Sequence, residues 1–365
     1  MIYRAIGIMS GSSLDGLDIA FTEFTATGCK WTFEIIAAAC IEYDNEWLKK
    51  LSTATTLSAL DYQLLDAAYG HYIGEQINHF IDRHELHHKV HLIASHGHTT
   101  FHLPGKKMTA QLGNGAAIAA ETKLPVVSDL RALDVAFGGQ GAPIVPIGEK
   151  LLFAGYDYFL NLGGIANISI ARADKYIAFD VCAANRVLNM LAAERGKKYD
   201  AGGNMAAAGN INEVLLQQMN ALDYYSKPYP KSLANSFGTD TIYPMIKNAG
   251  IAVEDGLRTY TEHICLNVVN ALIDERPQTT DDRRTMLVTG GGALNTFLIV
   301  RLSVLLAQEK IDVVVPEEKM IQYKEAVIMS LLGILRWREE ATVLAAVTGA
   351  SQASIGGAFW LGGDA

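Results

Sequence analysis

The chain has 365 residues, enough for two domains of ordinary size with a full core each. Half of its residues are hydrophobic and 19% are charged, a balance that excludes wholesale disorder. A net charge of -9 argues against a nucleic-acid partner, because phosphodiester binding needs a basic stripe and only short pairs such as Arg283-Arg284 occur.

No cationic segment leads into a long apolar core at the start, and no apolar run reaches membrane-spanning length, so neither a signal peptide nor a span is expected. Cys29, Cys40, Cys182 and Cys265 show no metal or disulfide spacing and fit reduced thiols. The expectation is a soluble cytoplasmic protein.

In chain order, a strand is predicted over Ala5 to Ile8, then a polar turn, a strand over Asp18 to Phe24 and a third from Thr32. Helical spacing runs from Ser58 to Arg83, with Leu60, Leu64, Leu65, Ala68, Tyr72, Ile73, Ile77 and Phe80 on one side. "KVHLIASHGHTT" reads as a buried strand, and "GAAIAAETKLPVVSD" as a helix followed by a strand. From Tyr156 the opening order returns: strand, glycine turn, strand, strand, helix. Helices are predicted near 184–195, 211–221 and 256–275. Then come a strand with a triple glycine and a helix, a short strand closed by Pro316, and a helix over 323–338. The recurring order predicts an α/β fold of duplicated mixed sheets in two lobes around a cleft. The lobes are expected at 1–130 plus 340–365 and at 131–339.

Three glycine turns follow apolar strands. The first, "MSGSSLDGLD", lacks the Lys and the following helix of a Walker loop and instead runs into an alternating strand. That leaves a hairpin in which Gly11 and Gly16 allow close approach and Ser10, Ser12 and Ser13 can donate to phosphoryl oxygens. Asp15 and Asp18 are too many acids for a bare anion site and make sense with Mg²⁺; local turn bonding is the alternative. The second and third turns are "NLGGIANI", with Asn161, Gly163 and Gly164, and "VTGGGALN", with Gly290, Gly291, Gly292 and Asn295. Together the three match a nucleotide's need for two phosphate turns and one loop for ribose and base.

Asp180 ends an apolar strand, a place for a general base or a metal-associated carboxylate, or for a helix cap. Asn185 and Arg186 fall in the first turn of the helix that follows. Seven of the ten histidines lie between His84 and His102, without zinc-ligand spacing, and His96 at a strand end is a candidate for substrate contact. Arg131 can pair with an anionic substrate group, or with Asp129 or Asp134 as a structural salt bridge. Lys324 and Glu325 are placed at a helix start, where a Glu favours the dipole.

Assembled in order, "IGIMSGSSLDGLD", "SHGHT", "QLGNGAAIA", "VVSDLRALDVAFGGQGAP", "LNLGGIANIS", "FDVCAANRVLN", "VTGGGALN" and "YKEA" resemble the anhydro-N-acetylmuramic acid kinases of the acetate and sugar kinase/Hsp70/actin superfamily, nearly end to end. The resemblance implies an actin-like fold and ATP-dependent cleavage of the 1,6-anhydro bridge by water. O6 is phosphorylated in the same reaction, giving N-acetylmuramate 6-phosphate in peptidoglycan recycling. It implies Asp180 as the base, Mg²⁺ at Asp15 and Asp180, and His96, Arg131, Glu325 and Asn185 on the substrate side. A homodimer is implied as well. The chain departs from the family's usual residues at Ser12 (Thr), at His98 (Gln), at Val181–Asn185 ("TGPGN") and over 230–236, where "PKSLANS" stands for "PKSTGRE". The alternatives are a catalytically impaired nucleotide-binding scaffold or sensor, or a kinase for another anhydro sugar.

Overall fold

Alternating apolar residues from Ile2 onward build a three-strand meander, and a second begins at Tyr158. The computed structural model describes residues 1–11, 14–172, 176–229, 231–234, 236–273 and 283–363. The strands are β1 (Ile2–Ser10), β2 (Leu17–Thr27), β3 (Lys30–Ile41), β4 (Leu92–Leu103), β5 (Met108–Leu112) and β6 (Val126–Ser128), then β7 (Tyr158–Leu162), β8 (Ile165–Ala171), β9 (Tyr176–Ala183), β10 (Arg284–Thr289), β11 (Ile311–Val314) and β12 (Ala358–Trp360). The helices that bear on the site are α1 (Ala59–Arg83), α2 (Gly115–Thr122), α3 (Asn185–Ala193), α4 (Val253–Ile273), α5 (Thr296–Ala307) and α6 (Glu318–Trp337).

One compact unit comprises Met1–Ala154 and Tyr323–Ala365, the other Gly155–Gln322. The divisions therefore fall at 154/155 and 322/323 rather than at 130/131 and 339/340. Side-chain chemistry accounts for the difference. Arg131 is tied to His96, and Glu149 to Lys324, within the first unit. From Tyr323 onward α6 packs on the first sheet, where a Cβ on Gly7 would stand 1.8 Å from the Ala326 carbonyl oxygen. Ala326, Ser330 and Gly333 give that helix a small-residue face that lies close against Gly7, Leu92 and Ala94.

The first sheet has the order β12-β6-β4-β1-β2-β3, with β5 beside β4. The second has β11-β10-β7-β8-β9. In each, the first three strands in the chain form an antiparallel meander, and the next, β4 or β10, pairs in parallel with the first of them, β1 or β7. The duplicated α/β pattern expected from the recurring strand order is present, as two mixed sheets of five shared strand positions.

Ile6, Ile8, Leu17, Ile19 and Phe21 pack with Tyr69, Ile73, Ile77 and Phe80 of α1. Ser58 caps that helix by accepting from the Asp61 amide. Leu60 and Leu64, expected on the buried stripe, are 69% and 59% exposed. The buried face instead follows Leu65, Tyr69, Ile73 and Ile77 at i,i+4 spacing. In the second unit, Leu160, Ile168, Val181 and Val187 pack with Tyr260 and Ile264 of α4 and with Leu298 and Leu302 of α5.

Candidate active site

In the first unit the β1–β2 ladder closes at Ser10 and Leu17. Ser12 and Ser13 lie outside the described residues. Ser10 is 2% exposed, and its hydroxyl accepts from Tyr43 at 2.8 Å and meets His98 Nδ1 at 3.2 Å. Tyr43 in turn shares a 2.6 Å bond with Tyr69. The Ser10 hydroxyl, expected to face phosphate, is committed to this buried network; it braces the end of β1. A Cβ on Gly16 would come 2.5 Å from Cys40 Sγ and 2.9 Å from the Ile41 carbonyl oxygen, so close packing on β3 requires that glycine.

Asp15 is exposed, and Asp18 on β2 is largely buried. Burial, with the charges of Asp15 and Glu325 nearby, lifts the Asp18 carboxyl to about 6 against a bond from Cys40. The Cys40 thiol is itself pushed up to about 12, chiefly by burial and then by the Asp18 charge. His96 is neutral: burial and the Arg131 charge lower it to about 3. Its Nδ1 donates to the Gly97 carbonyl at 2.8 Å, and its Nε2 accepts from Arg131 Nε at 2.7 Å. Arg131 also donates to the Gly141 carbonyl at 2.6 Å, and burial brings its guanidinium down to about 10.

Neither neighbouring Asp supplies Arg131 with a bonded partner. Asp134 accepts from the Gly141 amide and the Thr348 hydroxyl, and Asp129 accepts from Ser128. Glu325 lies within the electrostatic reach of Arg131, and burial raises its carboxyl. Because α6 begins at Glu318, Lys324 and Glu325 sit in its second turn, so the expected dipole role at a helix start does not apply. Lys324 instead donates to Glu149 at 2.6 Å in a pair whose side chains are both 4% exposed.

In the second unit the glycine turns collect at the carboxyl ends of β7 and β10, where open parallel strands usually receive ligands. Gly290 has φ +80, and a Cβ there would lie 2.4 Å from Asn161 Oδ1. Gly163 and Gly164 differ: a Cβ would meet nothing nearer than 3.4 Å and 3.8 Å, and neither φ is positive. Their carbonyls accept from the Asn185 amide at 3.1 Å and the Ala184 amide at 2.8 Å. Asn185 Nδ2 donates to the Leu162 carbonyl at 2.8 Å, and its side chain lies beside Gly291 and Gly292. Asn161, Gly163, Gly164, Asn185 and Gly290–Gly292 are therefore neighbours. Asn295 caps α5 by accepting from the Leu298 amide at 3.0 Å, which gives it a structural task in place of the expected nucleotide contact.

Asp180 lies within β9, which continues to Ala183, and α3 has no side-chain cap, so Asp180 does not cap it. Burial raises its carboxyl, while the Leu233 amide, donating to Oδ2 at 2.9 Å, pulls the other way. Tyr224 donates to the Asp180 carbonyl at 2.7 Å. Leu233 and Tyr224 also line a cavity of about 610 Å³ with Lys227, Phe237 and Asp240.

The anhydro-N-acetylmuramic acid kinase family model matches residues 3–362. The chain belongs to the anhydro-N-acetylmuramic acid kinase family. The family's enzyme from Vibrio parahaemolyticus is 32% identical to it, covering 96% of both chains. That from Haemophilus influenzae is 30% identical over 97% of both, and that from Aliivibrio fischeri 34% identical over 82% of this chain and 83% of its own. Among solved structures, the activator of 2-hydroxyisocaproyl-CoA dehydratase from Clostridium difficile with bound ADPNP covers 92% of this chain and 96% of its own, at 12% identity and a TM-score of 0.42. A putative sugar kinase from Cytophaga hutchinsonii covers 89% of this chain and 99% of its own, at 14% identity and a TM-score of 0.37.

Within this family member, the departures from the usual motifs fit locally. His98 serves the buried Ser10 network. Cys182, Ala183 and Ala184 are all buried and belong to the core of the second unit. Sequence reasoning missed the Leu233 amide, Tyr224 and the Lys324–Glu149 pair. The first two are backbone or loop contacts across 53 and 44 residues that no spacing rule reveals.

Proposed function

We propose that this protein is an ATP-dependent anhydro-N-acetylmuramic acid kinase that opens the 1,6-anhydro bridge with water and phosphorylates O6. Its product is N-acetylmuramate 6-phosphate, formed in the recycling of peptidoglycan. The observation that carries this reading is the family match across residues 3–362, joined to a largely buried Asp180 whose proton affinity is raised towards that of a working base. A scaffold without chemistry, or a kinase for another anhydro sugar, is not favoured by a match of that extent.

Asp180 takes a proton from water as the water oxygen bonds to the anomeric carbon. The bond from that carbon to O6 breaks, its electron pair stays on O6, and O6 attacks the γ-phosphorus of ATP. The bond to the bridging oxygen then breaks and ADP leaves. The Leu233 amide orients the carboxylate, leaving Oδ1 for the water. His96, Arg131, Glu325 and Asn185 position the sugar, and phosphoryl transfer asks chiefly for such positioning. Gly11 and the Gly163–Gly164 turn receive the phosphates, and Gly290–Gly292 receive the adenosine.

The exposed Asp15 beside the partly buried Asp18 fits a hard cation, since Mg²⁺ keeps several waters and takes one or two carboxylates. Those residues would hold Mg²⁺, which supplies neutralisation of phosphate charge when bound; Asp180 is reserved for the base. No helix among the described residues is long and apolar enough to cross a membrane. We place the enzyme in the cytoplasm as a homodimer.

Incubation with Mg-ATP and the anhydro sugar in ¹⁸O-water tests the reading by mass spectrometry. One ADP per 6-phosphosugar is expected, with the label on the anomeric hydroxyl. ADP without the phosphosugar, or label on phosphate, overturns it. Asp180→Asn is expected to abolish turnover and leave ATP affinity within about threefold.

A further inference from the structure

Among the described residues, none holds the guanidinium of Arg186. Its Nε is buried and lacks a hydrogen-bond partner, and among the described residues no hydrogen bond or ion pair engages the side chain. The Nε lies 3.8 Å, and the Arg186 Cβ 3.9 Å, from the point where a Cβ on Gly164 would sit, so the side chain runs along the Gly163–Gly164 turn. Neither glycine is required by backbone conformation or by packing. Space and an unanswered cation thus meet at one turn. Arg186 also stands in the first turn of α3, which carries no acidic residue there and no side-chain cap. A cation at a helix N-terminus opposes the dipole unless an anion sits beside it.

We propose that Arg186 binds the polyphosphate chain of the nucleotide at the Gly163–Gly164 turn, an assignment that rests on the kinase reading above. The guanidinium fork donates to phosphoryl oxygens in pairs, which a Lys ammonium does not reproduce. It adds charge that the glycine turn, built of backbone alone, does not carry. The sugar's own anion, a carboxylate, is the other chemistry an Arg takes, but the glycine turn favours phosphate because bare backbone lets a tetrahedral anion approach closely.

The test compares the intact protein with Arg186→Gln and Arg186→Lys by titration calorimetry with Mg-ATP and with AMP, alongside steady-state kinetics. Arg186→Gln is expected to weaken ATP binding about ten- to a hundredfold. AMP binding, without the outer phosphates, should move less than about threefold, and Arg186→Lys should recover part of the ATP loss. Circular dichroism and the unfolding midpoint confirm that both variants fold. Equal losses for ATP and AMP, or no loss, overturn the assignment. A rise in KM for the sugar with ATP affinity unchanged overturns it too, and hands Arg186 to the sugar carboxylate. If the wild-type protein forms no phosphosugar yet shows the Arg186-dependent preference for ATP over AMP, the kinase reading fails while the phosphate contact stands.

Discussion

A carboxyl lifted by burial holds its proton more tightly in the folded chain than in the unfolded one. Its charge therefore weakens the fold once pH exceeds the ordinary value of about 3.8, and the penalty is complete above the folded value. Asp18, raised to about 6, should follow this course. Without Mg²⁺, Asp18→Asn is expected to stabilise the protein at pH 8 by at most about 3 kcal/mol, less for a group still partly wet, and to change little at pH 4. Urea unfolding at the two pH values reads the difference, and an equal gain at both contradicts it. At Asp180 the same physics acts on rate. The base works deprotonated, so kcat/KM should fall with a limb lying above the ordinary aspartate range. Leu233→Pro removes the amide that favours the charged form and should move that limb to higher pH. The buried Lys324–Glu149 pair carries a different risk. Lys324→Met removes the cation of this buried pair at a cost of about 3–5 kcal/mol, and adding Glu149→Leu should return most of it in unfolding measurements.

At the scale of elements, two glycine turns that read alike in the sequence separate by what surrounds them. Gly290→Ala forces a Cβ onto Asn161 and a side chain into φ +80, so stability should fall by about 1–3 kcal/mol or more. Gly163→Ala meets ordinary contact distance, so stability should hold while ATP affinity drops. Unfolding and calorimetry on both variants test the distinction, and a stability loss at Gly163 contradicts it. Asn295→Ala should cost about 1 kcal/mol as a lost cap and leave ATP affinity alone. Legibility follows the same divide. Strand, turn and strand at Ile6–Phe21 and from Tyr158 were readable because alternation is local. The register that puts Asn185 against Gly292, or the Ser10 hydroxyl into the Tyr43 network, was not, because those contacts join residues far apart in the chain. The start of α6 was missed because Glu318–Gln322 carry mixed polarity, and the apolar pattern strengthens only from Tyr323.

At the scale of the whole molecule, the recurring strand order visible in the sequence proved to be two sheets of matching order and polarity, yet the two units differ in continuity. The second unit is a single stretch, Gly155–Gln322, whose sheet and helices share one core. The first needs two stretches, because β1 and β4 are covered by α6 residues that come after Tyr323. Ala326, Val327, Ser330 and Leu331 of that helix are fully buried, and without them the apolar faces they cover would meet water. A fragment of residues 155–322 is therefore expected to fold by itself, with a cooperative urea transition and dispersed amide resonances. A fragment of residues 1–154 should aggregate or remain partly unfolded until a peptide of residues 323–365 is added, when native-like circular dichroism should return. Independent folding of 1–154 without that peptide would show that α6 is dispensable to the first unit, and failure of 155–322 would show that its core is not self-sufficient.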